Sequence, residues 1–173
     1  VTDTVGGRIP VVVGIGGNNT QEIIDSINHF DFTCTNAILS VAPYYNKPSQ
    51  QGLYLHFKAL ATASPVPVIL YNVPGRTGSN ISADTTIKLA HECKSIVAIK
   101  EASGNMAQIM QIIKQKPKDF QLISGDDALA VPIIAMGGAG VISVMANAYP
   151  KELTEMVNHA LKGDFTKANL LHY

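Results

Sequence analysis

In the segment Ser95-Ile-Val-Ala-Ile-Lys100, four consecutive apolar residues are followed by a single lysine. Five further apolar runs recur along the chain, at residues 9–14, 37–42, 66–71, 121–124 and 140–144. They are rich in Val and Ile and do not alternate with polar residues, which is typical of strands buried on both faces of a parallel sheet. The sequence therefore predicts six strands of this kind.

Helical periodicity and helix boundary signals fill the segments between the runs. Asn19, followed three residues later by Glu22, predicts an N-cap with a capping box. Similar start signals precede three further helical patterns, at Ser49, Ser82 and Asn105. Pro150 is placed for the first turn of the last pattern, and Gly163 for its end. This unbroken βαβα order predicts a parallel sheet with right-handed crossovers.

An open doubly wound sheet and a closed barrel both satisfy that order. Chemically useful residues follow or end four different runs, namely Tyr45, Tyr71, Lys100 and Asp126. In a barrel, the C-terminal ends of the strands converge on one mouth, whereas an open sheet would place these residues along an edge. A complete barrel has eight β/α units over typically about 250 residues. We therefore expect residues 1–173 to form one catalytic domain, an incomplete (β/α)8 TIM barrel.

Composition excludes several classes of partner. Lys plus Arg and Asp plus Glu number 13 each, and without any like-charge run this argues against nucleic acid and anionic membrane. No apolar stretch approaches the ~20 residues of a membrane span, and no charged-then-apolar pattern in these residues predicts a signal segment. Cys34 and Cys93 are isolated thiols, so a disulfide framework is not predicted and a cytoplasmic location is expected.

Lys100 has the clearest potential for chemistry. In one interpretation it extends from a strand end and keeps its ammonium group in water. In the other, an apolar strand delivers one amine into the barrel mouth, where desolvation favours the neutral form that attacks a carbonyl. From this residue alone, both interpretations remain open.

The segment Tyr71-Asn-Val-Pro-Gly-Arg-Thr-Gly78 ends the preceding run and continues into a loop. Tyr71 is either a core tyrosine or a proton carrier, and Arg76 is a candidate clamp for a substrate carboxylate. Schiff-base chemistry needs a proton carrier, because water must leave the carbinolamine and an enamine must form. Together with Lys100, the segment favours the functional interpretation.

Five segments occur in a characteristic order and spacing. They are Ala-Pro-Tyr-Tyr-Asn-Lys-Pro-Ser (42–49), Tyr-Asn-Val-Pro-Gly-Arg-Thr-Gly (71–78), Ala-Ile-Lys-Glu-Ala-Ser-Gly (98–104), Ser-Gly-Asp-Asp (124–127) and Gly-Val-Ile-Ser-Val (140–144). Together they resemble the dihydrodipicolinate synthase family of the pyruvate-dependent class I aldolases, which include N-acetylneuraminate lyase. The resemblance implies condensation of pyruvate with L-aspartate semialdehyde to 4-hydroxy-tetrahydrodipicolinate, in lysine and diaminopimelate biosynthesis, without a cofactor.

The resemblance also implies a role for each matching residue. Lys100 matches the Schiff-base lysine, Tyr71 the proton donor and acceptor, and Tyr45 a tyrosine that acts across a subunit interface. Arg76 matches the arginine that receives the carboxylate of the semialdehyde. Two backbone positions of the pyruvate pocket are matched by Gly125 and Ile142.

Two further implications concern regulation and assembly. Lysine inhibits many family members at an interface, and the matching positions are Asn18, Glu22 and Tyr44. Helix capping and first-turn charge are competing explanations for Asn18 and Glu22, and interface packing is one for Tyr44. The Tyr45 match implies a homo-oligomer, either a dimer or a tetramer.

Two parts of the family pattern have no counterpart in the chain. One is the pair of first strands, with a Gly-Thr-Thr-Gly loop that binds the pyruvate carboxylate, and residues 1–10 match the end of the second helix. The other is most of the C-terminal helical region, into which residues 150–173 lead. A barrel without two strands exposes two unpaired edges. We therefore expect a fragment that is inactive or poorly folded alone.

Simpler explanations are favoured for the remaining motifs. The segment Gly14-Ile-Gly-Gly17 lacks the last glycine of a dinucleotide fingerprint and predicts a tight turn. Asp126 is placed to cap a helix, and the five histidines have no ligand spacing, so no metal is predicted. Two alternatives to the synthase remain, a sibling keto-acid lyase or aldolase, which Arg76 argues against, and a non-catalytic chain that binds a ligand or a partner subunit.

Overall fold

A computed structural model describes residues 1–173 and contains one sheet of six parallel strands. The strands are β1 (Val12–Gly14), β2 (Ala37–Val41), β3 (Val68–Asn72), β4 (Ile96–Glu101), β5 (Gln121–Ser124) and β6 (Gly140–Val141). Each strand pairs with the next one along the chain, so the sheet runs from β1 to β6 in sequence order. The prediction of six parallel strands is confirmed. β1 begins later than predicted, after Pro10, which has no N–H to donate to a ladder.

Nine α-helices accompany the strands. They are α1 (Thr2–Val5), α2 (Thr20–His29), α3 (Gln50–Ala63), α4 (Pro74–Thr77), α5 (Ala83–Glu92), α6 (Met106–Gln115), α7 (Ala130–Ala135), α8 (Pro150–Leu161) and α9 (Phe165–His172). Two 3₁₀ turns, Asp127–Leu129 and Met145–Asn147, follow β5 and β6. None of the helices combines the length and the apolar character that crossing a membrane requires.

The predicted helix starts are present, with one difference in detail. Asn19 Oδ1 accepts hydrogen bonds from the backbone N–H groups of Gln21 and Glu22, at 3.0 and 3.4 Å. Glu22 Oε1 accepts from Asn19 Nδ2 at 3.0 Å, and not from the backbone N–H as in a capping box. Side-chain caps also begin α3, α5 and α6, at Ser49, Ser82 and Asn105. The N-cap predictions are therefore confirmed, while the capping box is replaced by a side-chain pair.

The two faces of the sheet have different surroundings. On the outer face, Leu70, Ile99 and Leu122 are fully buried against the helices, within a cluster of 19 buried residues. On the inner face, Ile69 and Ala98 are buried among inward-facing side chains of the other strands. Because successive residues of a strand point to opposite faces, the polar strand ends divide in the same way. Only β1 and β6 lie at the edges of the sheet.

Candidate active site

The central feature of the site is the pair formed by Tyr71 and Lys100. The two residues are register partners on adjacent strands β3 and β4, so their side chains lie next to each other on the inner face. Lys100 Nζ lies 4.1 Å from the centroid of the Tyr71 ring, and both residues are half-buried. This is the geometry of a cation–π contact.

A cavity of about 960 Å³ opens at the C-terminal ends of the strands and contains this pair. Its lining includes five residues that sequence analysis had singled out, Tyr71, Arg76, Lys100, Gly125 and Asp126. These residues come from three separate segments, which converge as the barrel geometry predicts. A cavity of this size can hold a small substrate together with a second one.

No carboxylate forms a salt bridge with the Lys100 amine, although Asp127 lies close enough for the charge of Lys100 to act on it. The two salt bridges of the chain both involve Asp164, in the C-terminal part. The contacts of the amine are therefore with an aromatic face and the cavity, which leaves it able to approach an electrophile.

Gly125 is required by the close approach of β5 to Lys100. A Cβ atom at this position would lie 2.7 Å from Ala102 Cβ and 3.0 Å from Lys100 Cε. Both separations are well below the roughly 3.5–4.0 Å of optimal carbon contacts. The backbone N–H of Gly125 also donates to the Glu101 carbonyl at 2.8 Å, which holds the strand end in place.

Arg76 lies at the boundary between two cavities. It is exposed and lines the main cavity together with Tyr71. It also lines a second cavity of about 370 Å³, which Tyr44 and Gly16 border on the other side. A guanidinium in this position can bind a carboxylate that enters beside the Tyr71–Lys100 pair.

Asp127 is a cavity residue to which sequence analysis assigned no role of its own. Its Oδ2 accepts hydrogen bonds from the backbone N–H groups of Val144 and Met145, at 3.1 and 3.0 Å. Burial acts to raise the pKa of Asp127, but the bonds from Ser143 and this backbone, with the charge of Lys100, outweigh burial and lower the pKa below its usual value. Asp127 thus connects the segment after β6 to the lining of the cavity. Only the folded structure brings these distant residues together.

The sequence model of the Dihydrodipicolinate synthetase family matches residues 1–173. The chain belongs to this family. It is 51% identical to a 4-hydroxy-tetrahydrodipicolinate synthase of Flavobacterium psychrophilum, over 100% of the chain and 59% of that relative. The chain therefore spans somewhat more than half the length of the relative it matches.

Two solved structures of the family share its geometry. One is the dihydrodipicolinate synthase of Cyanidioschyzon merolae with lysine bound, at a TM-score of 0.94 and 44% identity, covering 99% of the chain and 58% of that structure. The other is the chloride-inhibited enzyme of Acinetobacter baumannii complexed with pyruvate, at a TM-score of 0.94 and 41% identity, covering 99% of the chain and 58% of that structure. The six strands are thus an arc of the TIM barrel of the Dihydrodipicolinate synthetase family, and the predicted fold class is confirmed.

Two residues matched to the family pattern lie outside the main cavity. The Tyr45 side chain is 89% exposed and lines neither cavity, while its backbone N–H donates to the Thr77 carbonyl at 3.4 Å. Its φ of 72° is in the left-handed region, which is uncommon for a bulky residue. Ile142 does not line the cavity either, and its backbone N–H donates to the Ser124 carbonyl at 2.9 Å. Of the four residues of the strand-end argument, Tyr71, Lys100 and Asp126 line the main cavity, and Tyr45 does not line it in this single chain.

The three residues matched to the family's lysine site lie on exposed loops and a helix start after β1 and β2. The Asn18 carbonyl accepts from Asn46 Nδ2 at 3.1 Å, which connects the two loops. Glu22 bonds to the Asn19 side chain, and Tyr44 lines the second cavity. The three residues are all exposed, and no group of three His, Cys, Asp or Glu side chains in the chain is arranged to hold a metal ion.

Proposed function

We propose that this chain is part of an enzyme that condenses pyruvate with L-aspartate semialdehyde to 4-hydroxy-tetrahydrodipicolinate through a Schiff base on Lys100. This proposal depends on one observation. The Lys100 amine, which forms no salt bridge, lies 4.1 Å from the centroid of the Tyr71 ring inside the cavity at the strand ends. The family membership and the pyruvate complex of the A. baumannii relative support the choice of substrates.

The first steps use the two residues of the pair. The neutral Lys100 amine attacks the keto carbon of pyruvate, and the carbinolamine loses water to give an iminium ion. We assign to the Tyr71 hydroxyl the transfer of the protons that these steps require, including the one lost from the methyl carbon when the enamine forms. The enamine carbon then attacks the aldehyde of the second substrate, whose carboxylate is bound by Arg76.

Reductive trapping tests this mechanism directly. We expect pyruvate and borohydride to modify Lys100 in a chimera in which this chain replaces the matching segment of the F. psychrophilum relative. Mass analysis of the tryptic peptide locates the adduct, and the Lys100→Arg variant is the matched control. An unmodified Lys100 in a folded chimera would rule out the Schiff-base mechanism.

Acceptor choice separates the synthase from a sibling lyase or aldolase. We expect turnover with aspartate semialdehyde and none with sugar acids, because the Arg76 guanidinium suits a short acceptor that carries a carboxylate. Arg76→Lys is expected to raise KM for the semialdehyde, since an ammonium group cannot form the two parallel bonds of a guanidinium. Preferential turnover of a sugar acid would favour the sibling activity instead.

We also propose that lysine binds near Asn18, Glu22 and Tyr44 and inhibits the enzyme. The C. merolae relative with lysine bound supports this proposal, as does the placement of the three residues on neighbouring exposed segments. Titration calorimetry of the chimera with lysine is the test, with Tyr44→Ala as the variant. Correctly assembled protein that releases or absorbs no heat on titration with lysine would contradict the proposed lysine site.

We further propose that the enzyme is a homo-oligomer in which Tyr45 lies at the interface between two copies. Tyr45 is 89% exposed in one chain, and a second copy packed over it would bury this aromatic side chain beside the partner's site. Sedimentation velocity of the chimera and of its Tyr45→Ala variant measures the oligomeric state. We expect the variant to shift toward monomer. An unchanged sedimentation coefficient would contradict a role of Tyr45 at the interface.

A further inference from the structure

A buried polar network lies on the outer face of the sheet, directly behind the Tyr71–Lys100 pair. Asn72 and Glu101 are the next residues on β3 and β4, and they too are register partners. Strand alternation turns their side chains away from the cavity and toward the helices. Asn72 is 0% exposed and Glu101 is 1% exposed. Two cross-strand pairs therefore stand back to back, one facing the cavity and one facing the core.

Both oxygens of the Glu101 carboxylate accept hydrogen bonds from neutral donors. Asn72 Nδ2 bridges them, at 3.2 Å to Oε1 and 3.0 Å to Oε2. The Ser103 backbone N–H donates to Oε1 at 2.7 Å, and Gln108 Nε2 donates to Oε2 at 3.0 Å. Glu101 is the acceptor in all four of these hydrogen bonds.

The network continues from Glu101 into the loop before α5. Asn72 Oδ1 accepts from the Ile81 backbone N–H at 2.9 Å, and Gln108 Nε2 donates to the Ile81 carbonyl at 3.2 Å. Asn80 joins the two amides, accepting from Asn72 Nδ2 at 2.8 Å and donating to Gln108 Oε1 at 2.9 Å. The side chains of Asn72, Gln108 and Asn80 thus connect the ends of β3 and β4 to α6 and to the backbone of one loop.

Burial of the Glu101 side chain away from water costs free energy that other interactions must offset. Neither salt bridge of the chain involves Glu101, so no cation offsets the cost of removing this carboxylate from water. An apolar pair would fill the same space between sheet and helices without that cost. A fully satisfied polar network differs from an apolar pair in one useful respect, because its directional bonds hold one arrangement of the backbone.

We propose that Glu101 and Asn72 are positioning residues that hold the Lys100 amine against Tyr71 from the reverse side of the sheet. This inference rests on the proposed function, since it concerns the geometry in which Lys100 reacts. The Asn72–Glu101 bridge fixes the spacing and register of the two strand ends, and the preceding residue on each strand is the reacting one. A displacement of about 1 Å at a reacting group can lower a rate by roughly 10²-fold, so this spacing bears directly on Schiff-base formation.

The isosteric change Glu101→Gln in the chimera tests the proposal. It puts an amide N–H₂ where an acceptor oxygen meets Gln108 Nε2 and Asn72 Nδ2, so two donors face each other. We expect the rate of pyruvate trapping at Lys100, and kcat, to fall about 10-fold or more, with KM for pyruvate changed less than about twofold. Ile109→Val is the matched control, because Ile109 is fully buried on the same helix as Gln108 and its side chain belongs to the large apolar cluster.

The outcomes separate this inference from the proposed function. If the unmodified chimera is not trapped at Lys100, the proposed function fails, and the variants are not needed to show it. If the unmodified chimera is trapped and a folded Glu101→Gln variant is trapped at the same rate, the positioning role is wrong. A loss in Ile109→Val equal to that in Glu101→Gln would also overturn it, because general loosening of the helix would then explain both.

A milder variant decides the matter if Glu101→Gln does not fold. Gln108→Met keeps the side-chain volume and removes the α6 donor to Glu101 Oε2 together with the bonds to Asn80 and Ile81, so the Asn72–Glu101 bridge is held less firmly. We expect trapping to slow by about threefold or more, with KM for pyruvate again nearly constant. A folded Gln108→Met protein with the trapping rate of the parent would overturn the proposal.

Discussion

Gly125→Ala is the substitution whose effect on the site follows most directly from the structure. The added methyl group would meet Ala102 Cβ at 2.7 Å, Lys100 Cε at 3.0 Å and Lys100 Cγ at 3.1 Å. Ala102 cannot move without its backbone, whose N–H donates to the Asn72 carbonyl at 2.8 Å. The Lys100 side chain is flexible and moves aside, whereas the contact with Ala102 Cβ is relieved only by a shift of backbone at residue 125 or 102.

The size of the effect follows from these distances. Restoring ordinary carbon contacts of about 3.5–4.0 Å requires Lys100 to move by roughly 0.5–1 Å away from β5. A shift of this order lowers the rate of a positioned reaction by up to roughly 10²-fold. Overpacking of this kind also destabilises a fold by about 1–3 kcal/mol. We therefore expect trapping of pyruvate in the chimera to slow between about 10-fold and 100-fold.

The measurement is the rate of borohydride trapping at saturating pyruvate, together with the denaturant midpoint. Gly17→Ala is the control, because a Cβ at Gly17 would meet the Ile23 side chain only at ordinary contact distances of 3.6–3.7 Å. A Gly125→Ala protein that folds and is trapped as fast as the parent would refute the reasoning. It would mean that Lys100 does not occupy the place next to Gly125 when it reacts.

Three further predictions concern stability and catalysis. Burial lowers the pKa of His56 to about 4, so the unfolded chain takes up a proton that the folded chain does not, and stability falls as the pH drops below about 6.5. Urea unfolding of the chimera is expected to show a loss of about 2 kcal/mol between pH 7.5 and pH 5, and a His56→Gln variant without a weaker pH dependence would contradict this. Asn19→Ala removes the cap of α2 and is expected to cost about 1 kcal/mol in the same assay, whereas an unchanged midpoint would show that the cap is not needed. Tyr71→Phe is expected to lower kcat by about 10²–10⁴-fold while thermal stability remains near that of the parent, and a fully active variant would exclude Tyr71 as the proton carrier.

Much of the fold could be predicted because its signals are local. Five of the six strands begin within two residues of the start of the predicted apolar run. The four predicted N-cap side chains accept hydrogen bonds from the first turns of their helices. The exceptions have local causes as well. β1 begins after Pro10, and the last run stays in the sheet only to Val141 before the chain turns into Met145–Asn147. Such boundaries depend on single hydrogen bonds, which a pattern of apolar residues does not specify.

The site was predicted less completely, because its parts come from distant segments. Tyr71, Arg76, Lys100 and Gly125 were predicted from motifs and lie on one cavity. The role of Asp127 depends on backbone groups 17 and 18 residues away, so no local motif indicates it. Tyr45 lies four residues after β2, and in a single chain it is exposed and lines neither cavity, so its predicted role at a neighbouring site depends on a second copy.

By itself, the sequence determined the parallel β/α order, the helix starts and the types of residue available for chemistry, because each depends on neighbours along the chain. Only the tertiary structure decided which residues face each other. The register of β3 against β4 puts Tyr71 beside Lys100 on one face and Asn72 beside Glu101 on the other. A slip of one residue would exchange the two faces, so burial of the apolar residues of both strands specifies this register.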